Sequence, residues 1–242
     1  MNDSINELQL KIEKLEQEIN FKNGMISILS HDSKEIFGNL LWLLDALDQE
    51  TITSTEFFNL LPQVKSDAKK NLQTVQDAKV WLKTQYGDFQ IKPAKIKVFD
   101  LFQRLEENYA AQLKEKDIKF YFEGDPNVSL EADRLLLEYV LDKIFNNAVK
   151  YSSAGQDIYF KYSYKENESV ISVVDVGTGI AEKYLPNIFN YDHPVFEGTA
   201  GELGAGLSLK IVKNFVSLMH GNIKIISSEN KGTTVSIFLP QI

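Results

Sequence analysis

From residue 1 to about Asp48, apolar side chains recur at alternating intervals of three and four residues, which predicts one long helix. One set of seam positions contains Ile5, Ile12, Ile19, Ile26, Leu40 and Leu47. The other contains Leu8, Leu15, Leu29, Ile36 and Leu43. Because a single amphipathic helix leaves such a seam in water, the pattern predicts a coiled coil or helical bundle with a partner helix.

A second helical pattern follows a turn at residues 49–54. Thr53 and Glu56 fit a capping box that starts this helix, and Gly87 is predicted to end it. Pro62, about two turns into the helix, predicts a kink. The apolar stripe consists of Phe58, Leu61, Ala68, Leu72, Val75 and Leu82. Since one helical hairpin buries little, we expect two copies to form a four-helix bundle, which makes the protein a homodimer.

Beyond Gly87 the pattern changes to alternating strands and shorter helices. Strands are predicted at residues 91–98, 119–123, 158–164, 170–174, 223–227 and 234–239. Helices are predicted at residues 99–116, 131–151 and about 207–220. Helices and a mostly antiparallel sheet segregate into two layers, so the predicted fold class is α+β, with a helical hairpin followed by a two-layer α/β sandwich.

Composition narrows the possible functions. The 242 residues are 43% hydrophobic and 25% charged, which is typical of one large or two modest globular domains. No segment approaches the ~18 apolar residues of a membrane span, and the N-terminus is too polar for a signal peptide. We therefore expect a cytoplasmic protein that meets a membrane only if an upstream sensor region has been removed. The absence of Cys excludes disulfides and thiolate metal sites, and the net charge of -8 argues against general nucleic-acid binding.

His31 is the first candidate for chemistry, because it falls opposite the apolar seam on the predicted solvent face. An imidazole in this position is not needed for packing. It can act as a nucleophile, and the neighbouring Asp32 can accept or orient its proton. The alternative is a solvated His–Asp pair on a helix surface, and this stretch alone does not decide between the two.

Asp175, Gly177 and Gly179 form a second candidate group, directly after an apolar strand. A carboxylate at a strand end can accept a hydrogen bond from the amino group of adenine. The two glycines let the backbone turn beneath the base without side-chain obstruction. An ordinary turn is the alternative interpretation of the same residues.

Two further groups suit phosphate and metal. Gly204 and Gly206 precede a helix that begins near Leu207, and such a helix start offers free N–H groups to a phosphate chain. The alternative is a flexible loop, and the Lys of a Walker loop is missing. On an earlier, mostly apolar helix, Asn147 can complete the shell of a hard cation and Lys150 can meet phosphate as a point charge. A helix-end hydrogen bond is the alternative role for the asparagine.

Taken together, these residues resemble the ATP-binding domain of sensor histidine kinases, in the superfamily shared with gyrase and Hsp90. The motifs in matching order are Asn147-Ala148-Val149-Lys150-Tyr151, Asp175-x-Gly177-x-Gly179, the region of Phe189, Gly204-x-Gly206-Leu207-x-Leu209-x-Ile211-Val212, and His220-Gly221 through Gly232-Thr233-Thr234 to Leu239-Pro240. The stretch Ser30-His31-Asp32-x-Lys34 resembles the phosphoacceptor box of the same family. The resemblance covers nearly the whole chain.

The resemblance implies three parts: a coiled-coil signalling helix at residues 1–24, a dimerisation and phosphoacceptor domain at residues 25–88, and an ATP-binding catalytic domain at residues 89–242. It implies that the chain uses ATP and Mg²⁺ to phosphorylate His31, assisted by Asp32. The phosphoryl group would then pass to an Asp of a separate response regulator.

The same resemblance implies roles within the nucleotide site. Asn147 would hold Mg²⁺, Asp175 would read adenine, and residues 180–203 would form a lid. The other residues expected to shape the pocket or line the nucleotide are Lys150, Tyr151, Gly177, Gly179, Gly204, Gly206 and Leu207.

Two departures from the family pattern bear on activity. Lys143 stands where a second Asn usually precedes the metal Asn by one turn; a lysine cannot ligate Mg²⁺ but could contact phosphate. Glu35 stands where Thr or Asn usually positions the water that dephosphorylates the regulator. The alternatives to an active kinase are therefore a nucleotide-binding but weakly catalytic relative, acting in phosphotransfer or as a scaffold, and a non-kinase interaction module.

Overall fold

The computed structural model describes residues 2–85, 89–189, 198–199 and 207–241. Within the first helix, the side chains of residues 2–7, 10, 13, 14, 17, 18 and 32 also lie outside the described part. The chain divides into two units, Met1–Thr84 and Gln85–Ile242. In the described ranges, no helix combines the length and the apolar character needed to cross a membrane.

The first unit is a hairpin of two helices, α1 (Asn2–Asp48) and α2 (Ser54–Lys83). The predicted capping box is confirmed. The backbone N–H of Glu56 donates to Oγ1 of Thr53 at 3.2 Å, and the N–H of Thr53 donates to Oε2 of Glu56 at 2.8 Å. Helix α2 continues through Pro62 and ends before the predicted stop at Gly87, which lies outside the described residues.

The faces that pack within the hairpin differ in part from those predicted. The buried side chains are Met25, Leu43, Ala46, Thr74, Asp77, Ala78 and Trp81. The rings of Phe21 and Trp81 lie 4.9 Å apart, and the amide of Asn71 donates to the hydroxyl of Ser33 at 3.3 Å. The stripe predicted for α2 is instead exposed in the single chain, with Phe58 66% exposed. An apolar stripe marks a surface for burial, but it does not identify which partner covers it.

The second unit is a two-layer α+β sandwich, which confirms the predicted fold class. Its strands are β1 (Pro93–Lys97), β2 (Lys119–Glu123), β3 (Ser129–Asp133), β4 (Asp157–Lys165), β5 (Glu168–Asp175), β6 (Asn222–Ser227) and β7 (Thr233–Pro240). Its helices are α3 (Val98–Asn108), α4 (Ala110–Glu115), α5 (Arg134–Tyr151) and α6 (Ser208–Leu218), with a 3₁₀ helix at Glu182–Asn187.

The main sheet has the strand order β2-β4-β5-β7-β6. Strands β2 and β4 are parallel and the other neighbours are antiparallel, so the sheet is mostly antiparallel, as predicted. Alternate residues of β5 are buried toward the helical layer, ending at Asp175. The largest fully buried side chains are Phe145 of α5, Phe160 of β4 and Phe215 of α6, which together fill the space between the layers.

Three local features differ from the prediction. The helix predicted at residues 99–116 is two helices that meet at Tyr109. Strand β3 pairs with β1 in a separate ribbon, where residues 131–133 were predicted to be helical. Helix α5 begins later because Asp133 caps it, with Oδ1 accepting from the N–H of Leu136 at 3.2 Å. The 3₁₀ helix at Glu182–Asn187 lies within the predicted lid.

Candidate functional site

Asp175 is a buried carboxylate at the end of β5, on the side of the sheet that carries the helices. Its side chain is held from two directions. Oδ1 accepts hydrogen bonds from the N–H of Gly177 at 3.0 Å and from the N–H of Thr233 at 3.2 Å. Only 8% of the residue is exposed. These two backbone donors fix the orientation of the carboxylate.

The second carboxylate oxygen of Asp175, Oδ2, is the atom of this side chain that can accept a hydrogen bond from a ligand. Burial raises the pKa of Asp175 to about 6, while the hydrogen bonds from Gly177 and Thr233 act in the opposite direction. Within the described ranges, Oδ2 has no hydrogen-bond partner. A carboxylate oxygen to which the protein offers no donor can accept a hydrogen bond from a ligand. The amino group of adenine is a donor of this kind.

The backbone beside Asp175 passes too close to its neighbours for side chains. A Cβ at Gly177 would lie 2.8 Å from the carbonyl carbon of Tyr151, the last residue of α5. Gly179 has a φ of +64°, and a Cβ there would lie 2.8 Å from the carbonyl carbon of Ser228. Glycine fits at both positions because it has no Cβ to clash and, at Gly179, because it tolerates a positive φ. The loop therefore presents bare backbone to any molecule that reaches Asp175.

The C-terminal part of α5 runs along the same loop, because the N–H of Thr178 donates to the carbonyl of Tyr151 at 3.1 Å. Lys150 is 6% exposed, and its ammonium lies 4.8 Å from the centroid of the Tyr151 ring. Asn147 is half-buried, one turn earlier, and its amide makes no hydrogen bond in the described part of the chain. An unengaged amide oxygen on this helix suits a hard cation such as Mg²⁺, whereas the neighbouring Asn146 is exposed.

A clamp of hydrogen bonds around Thr199 was not predicted from the sequence. The N–H of Thr199 donates to the carbonyl of Lys150 at 3.0 Å, and its hydroxyl donates to the carbonyl of Ser152 at 2.7 Å. Lys116 donates from Nζ to Oγ1 of Thr199 at 2.9 Å and to the carbonyl of Val149 at 3.0 Å. These donors satisfy carbonyls at the end of α5 that the helix itself leaves unpaired. They tie part of the predicted lid to that helix end.

The glycine-rich segment is described only where it enters α6. Gly204 and Gly206 lie outside the described residues, as does most of the predicted lid. Leu207 is fully buried at the start of α6, and its carbonyl accepts from the N–H of Lys210 at 3.1 Å. Upstream, the ring of Phe189 lies 5.1 Å from the ammonium of Lys213 on α6.

His31 belongs to the first unit and is exposed, as its heptad position predicts. Its side chain is 76% exposed, and Nδ1 lies 3.9 Å from Oε2 of Glu35, one turn further along α1. The carboxylate side chain of Asp32 lies outside the described part of the structure. The imidazole therefore has a carboxylate near one nitrogen and is accessible to a reagent from solvent.

Sequence reasoning did not assign the contacts of three residues that shape the region around Asp175 and the end of α5. The N–H of Thr233 fixes Asp175, and Lys116 and Thr199 secure the end of α5. Thr233 is far from Asp175 in the sequence, and Thr199 is far from Lys116. No periodic pattern in the sequence therefore indicates these contacts. Only the antiparallel pairing of β5 with β7, which places Asp175 opposite Thr233, could have suggested the first of these contacts.

Residues 132–242 match the family described as "Histidine kinase-, DNA gyrase B-, and HSP90-like ATPase". This part of the chain contains α5, Asp175, the glycine-containing loops and the main sheet apart from β2. Over these residues the chain therefore matches a family of ATPase domains.

Within this class, the chain is homologous to sensor histidine kinases and corresponds to their catalytic core. It is 27% identical over 233 residues to sensor histidine kinase WalK of Bacillus subtilis, covering 94% of this chain and 38% of WalK. It is 26% identical over 220 residues to the autoinducer 2 sensor kinase/phosphatase LuxQ of Vibrio harveyi, covering 88% of this chain and 26% of LuxQ. The chain thus spans between about a quarter and two fifths of the length of these two relatives.

Solved structures share the fold. Histidine kinase AdeS of Acinetobacter baumannii superposes with a TM-score of 0.67 at 16% identity, covering 87% of this chain and 98% of AdeS. Histidine kinase ThkA in complex with response regulator protein TrrA gives a TM-score of 0.67 at 16% identity, covering 99% of this chain and 66% of the matched chain. Full-length ShkA in complex with AMPPNP gives a TM-score of 0.60 at 19% identity, covering 96% of this chain and 45% of ShkA.

Proposed function

We propose that this chain is the core of a protein-histidine kinase that transfers the γ-phosphoryl group of ATP to His31 and then to an Asp of a response regulator. The observation that carries the proposal is Asp175, a buried, oriented carboxylate with one oxygen unpartnered in the described part of the structure. A group of this kind in an ATPase-family domain is the expected acceptor for the adenine amino group. The homology to sensor histidine kinases supplies the class of acceptor.

The residues around Asp175 would bind the nucleotide in a defined orientation. Gly177 and Gly179 let the loop after Asp175 pack closely against neighbouring backbone, and the end of α5 lies beside this loop with Lys150 and Tyr151. Asn147 would supply an amide oxygen to Mg²⁺, which neutralises phosphate charge when it is bound. Gly204, Gly206 and Leu207 would shape the phosphate side of the pocket.

His31 would act as the nucleophile. We assign Nε2 as the attacking atom, because Nδ1 faces Glu35 and a carboxylate can hold the proton on that nitrogen. Attack on the γ-phosphorus forms the N–P bond and breaks the bond to the β-phosphate oxygen, releasing ADP. The positive charge that develops on the imidazole is relieved when Nδ1 passes its proton to a carboxylate. Asp32 is the acceptor proposed from the sequence, and Glu35 is the carboxylate that lies near Nδ1 in the structure.

The first unit would form a homodimer. Its single-chain structure leaves many apolar side chains exposed, among them Leu8, Ile12, Leu15, Ile19, Ile26, Phe37, Leu41 and Trp42. Full burial of a fully exposed side chain of this kind contributes about 1.5–3 kcal/mol, and these side chains contribute a part of that because they are 50–63% exposed. In the proposed division, residues 1–24 transmit signals, residues 25–88 dimerise and carry His31, and residues 89–242 bind ATP. The neighbour ThkA was solved with a response regulator, and we propose a regulator receiver domain as the partner here as well.

The proposal is tested by incubating the purified chain with Mg²⁺ and ATP labelled in its γ-phosphate. Acid-labile, base-stable label is expected on the protein, and His31→Ala should abolish it while ATP binding and dimerisation persist. His193→Ala and His220→Ala are matched controls, since these are the other two histidines of the chain.

Each result has a distinct meaning. Label that persists in His31→Ala contradicts the assignment of the nucleophile. ATP binding without label supports the alternative of a weakly catalytic relative in phosphotransfer or scaffolding. A chain that binds no adenosine nucleotide would instead be an interaction module.

A further inference from the structure

Ser227 lies in the same row of the main sheet as Asp175, although the two residues belong to different strands. The register pairs Asp175 of β5 with Thr233 of β7, and it pairs Thr233 with Ser227 of β6. Side chains that are paired in this way point to the same face of a sheet. Ser227 is therefore on the face that carries Asp175, two strands away from it.

The hydroxyl of Ser227 makes three hydrogen bonds to two separate segments of the chain. Its Oγ accepts from the N–H of Ile180 at 2.8 Å, donates to the carbonyl of Gly232 at 2.9 Å, and lies 2.8 Å from Oγ1 of Thr233. A serine hydroxyl has one proton and two acceptor positions. All three contacts are satisfied together when that proton goes to Gly232 and the hydroxyl of Thr233 donates to Ser227. The hydrogen-bonding capacity of the Ser227 hydroxyl is then fully used.

The two segments that Ser227 joins are the ones that orient Asp175. Oδ1 of Asp175 accepts from the N–H of Gly177, in the loop that leads to Ile180, and from the N–H of Thr233. Removing the hydroxyl of Ser227 would break its bonds to both segments. Both N–H donors could then move relative to the carboxylate.

The turn between β6 and β7 also packs closely against the loop after Asp175. The N–H of Asn230 donates to the carbonyl of Thr178 at 2.6 Å. A Cβ at Gly179 would lie 2.8 Å from the carbonyl carbon of Ser228. Because the turn and the loop are in direct contact, a shift of the turn would displace the loop and the N–H that it donates to Asp175.

From this arrangement we infer that Ser227 is a positioning residue of the base site, whose hydroxyl holds together the two segments that orient Asp175. The affinity for the adenine ring then depends on this hydroxyl. The inference rests on the proposed function, because it takes Asp175 as the acceptor for the base. It adds a residue of β6 that acts through Thr233 and the loop after Asp175, rather than by contact with the nucleotide.

The carboxyl group of Asp175 itself reports whether Ser227 has this role. Burial raises the pKa of Asp175 to about 6, and the hydrogen bonds from Gly177 and Thr233 act in the opposite direction. If the Ser227 hydroxyl keeps those donors in place, removing it weakens their effect and raises the pKa of Asp175 further. A residue that only stabilised the edge of the sheet would leave this pKa unchanged.

The test compares the full wild-type chain with Ser227→Ala. NMR titration of isotope-labelled aspartate carboxyl groups measures the pKa of Asp175, whose signal is identified by its absence in Asp175→Asn. Calorimetric titration measures the dissociation constants of adenosine and ATP. Ser227→Ala should raise the pKa of Asp175 and should weaken the binding of adenosine and ATP by the same factor, about two- to tenfold.

Three further variants complete the design. Ser227→Thr keeps the hydroxyl on a β-branched side chain, which suits a strand, and should match wild type. The isosteric Ser227→Val lacks the hydroxyl and should behave like Ser227→Ala. Ser236→Ala removes one hydroxyl of another serine pair in the same sheet, in which Ser236 and Ser172 are bonded at 2.7 Å. It should leave the pKa of Asp175 and the affinity for adenosine unchanged.

The inference is overturned if the pKa of Asp175 is unchanged in both Ser227→Ala and Ser227→Val. Equal effects in Ser236→Ala would show a general effect on the sheet and would also overturn it. So would a loss of affinity for ATP but not for adenosine, because the effect would then lie at the phosphates. Failure of wild type to bind any adenosine nucleotide would refute the proposed function, while the pKa comparison in nucleotide-free protein would still decide whether Ser227 positions Asp175.

Discussion

Replacing Asp175 with Asn is expected to stabilise the second unit and to weaken ATP binding at the same time. The carboxylate is 8% exposed, and burial raises its pKa to about 6. The amide of Asn has nearly the same shape, so its oxygen can still accept from the N–H groups of Gly177 and Thr233. The substitution removes the buried charge and replaces the unpartnered oxygen with a donor.

The gain in stability follows from the linkage between protonation and folding. The pKa of Asp175 is raised from 3.8 to about 6. At about 1.4 kcal/mol per unit, the ionised carboxylate costs the folded state up to about 3 kcal/mol. Because the folded-state pKa is the higher one, this cost is absent below the unfolded-state pKa and complete above the folded-state pKa. The free energy of unfolding should therefore fall between about pH 4 and about pH 6, and Asp175→Asn should lack this fall.

The loss of binding follows from hydrogen-bond chemistry. In Asp175→Asn, the side-chain NH₂ would face the amino group of adenine, and two donors cannot pair. Losing a hydrogen bond to a charged acceptor costs about 1.5–3 kcal/mol, which corresponds to about ten- to a hundredfold in affinity. For the same reason, wild-type affinity for ATP should weaken as the pH falls below the pKa of about 6.

Calorimetric unfolding of the full chain across this pH range measures the first effect, and isothermal titration with ATP measures the second. Both tryptophans, Trp42 and Trp81, belong to the first unit, so their fluorescence is an internal control that Asp175→Asn should leave unchanged. If the free energy of unfolding of Asp175→Asn falls with pH as it does in wild type, the buried charge of Asp175 is not the cause of that fall. Wild-type affinity for ATP in the variant would show that Asp175 does not contact the base.

Three further predictions concern other parts of the chain. Asn147→Ala should weaken Mg-ATP binding about tenfold and spare adenosine, and an equal loss of both would indicate a structural amide. Glu35→Thr should increase dephosphorylation of a purified phosphorylated regulator, because a shorter neutral side chain can hold the attacking water; a slower reaction in Glu35→Ala would make Glu35 itself the water-positioning group. Deleting residues 1–24 should weaken the dimer in analytical ultracentrifugation, since four apolar seam residues there are at least half exposed in the single chain.

Features with a local physical cause could be predicted from the sequence. The capping box at Thr53 and Glu56 needs only two side chains three residues apart, and its hydrogen bonds are present. The exposure of His31 follows from helical periodicity alone. Strands with clear alternation, such as β5, were placed within two residues of their ends, because one buried face imposes the pattern.

Features set by distant partners could not be predicted. Strand β3 is polar and short, and it is a strand because β1 pairs with it. The face of α2 that packs within the hairpin carries Thr74 and Asp77, whereas its most apolar stripe is exposed in the single chain. Thr199 reaches the end of α5 through a contact with residues far away in sequence. None of these depends on a periodic signal within the element concerned.

Asp175, which we propose binds the base, and His31, the proposed nucleophile, differ in how exposed they are, and this difference has a physical reason. Asp175 is a charged group with little exposure, so its ionised form carries a cost that a ligand with the right donor pattern relieves. A site that binds ATP must hold such groups ready before the nucleotide arrives. His31 is exposed and carries no comparable cost, because a nucleophile that must meet first ATP and then a regulator has to stay accessible. The proposal for the nucleotide site therefore draws on burial and hydrogen bonding, whereas the proposal for the nucleophile draws on sequence context and is tested by the label that His31→Ala should remove.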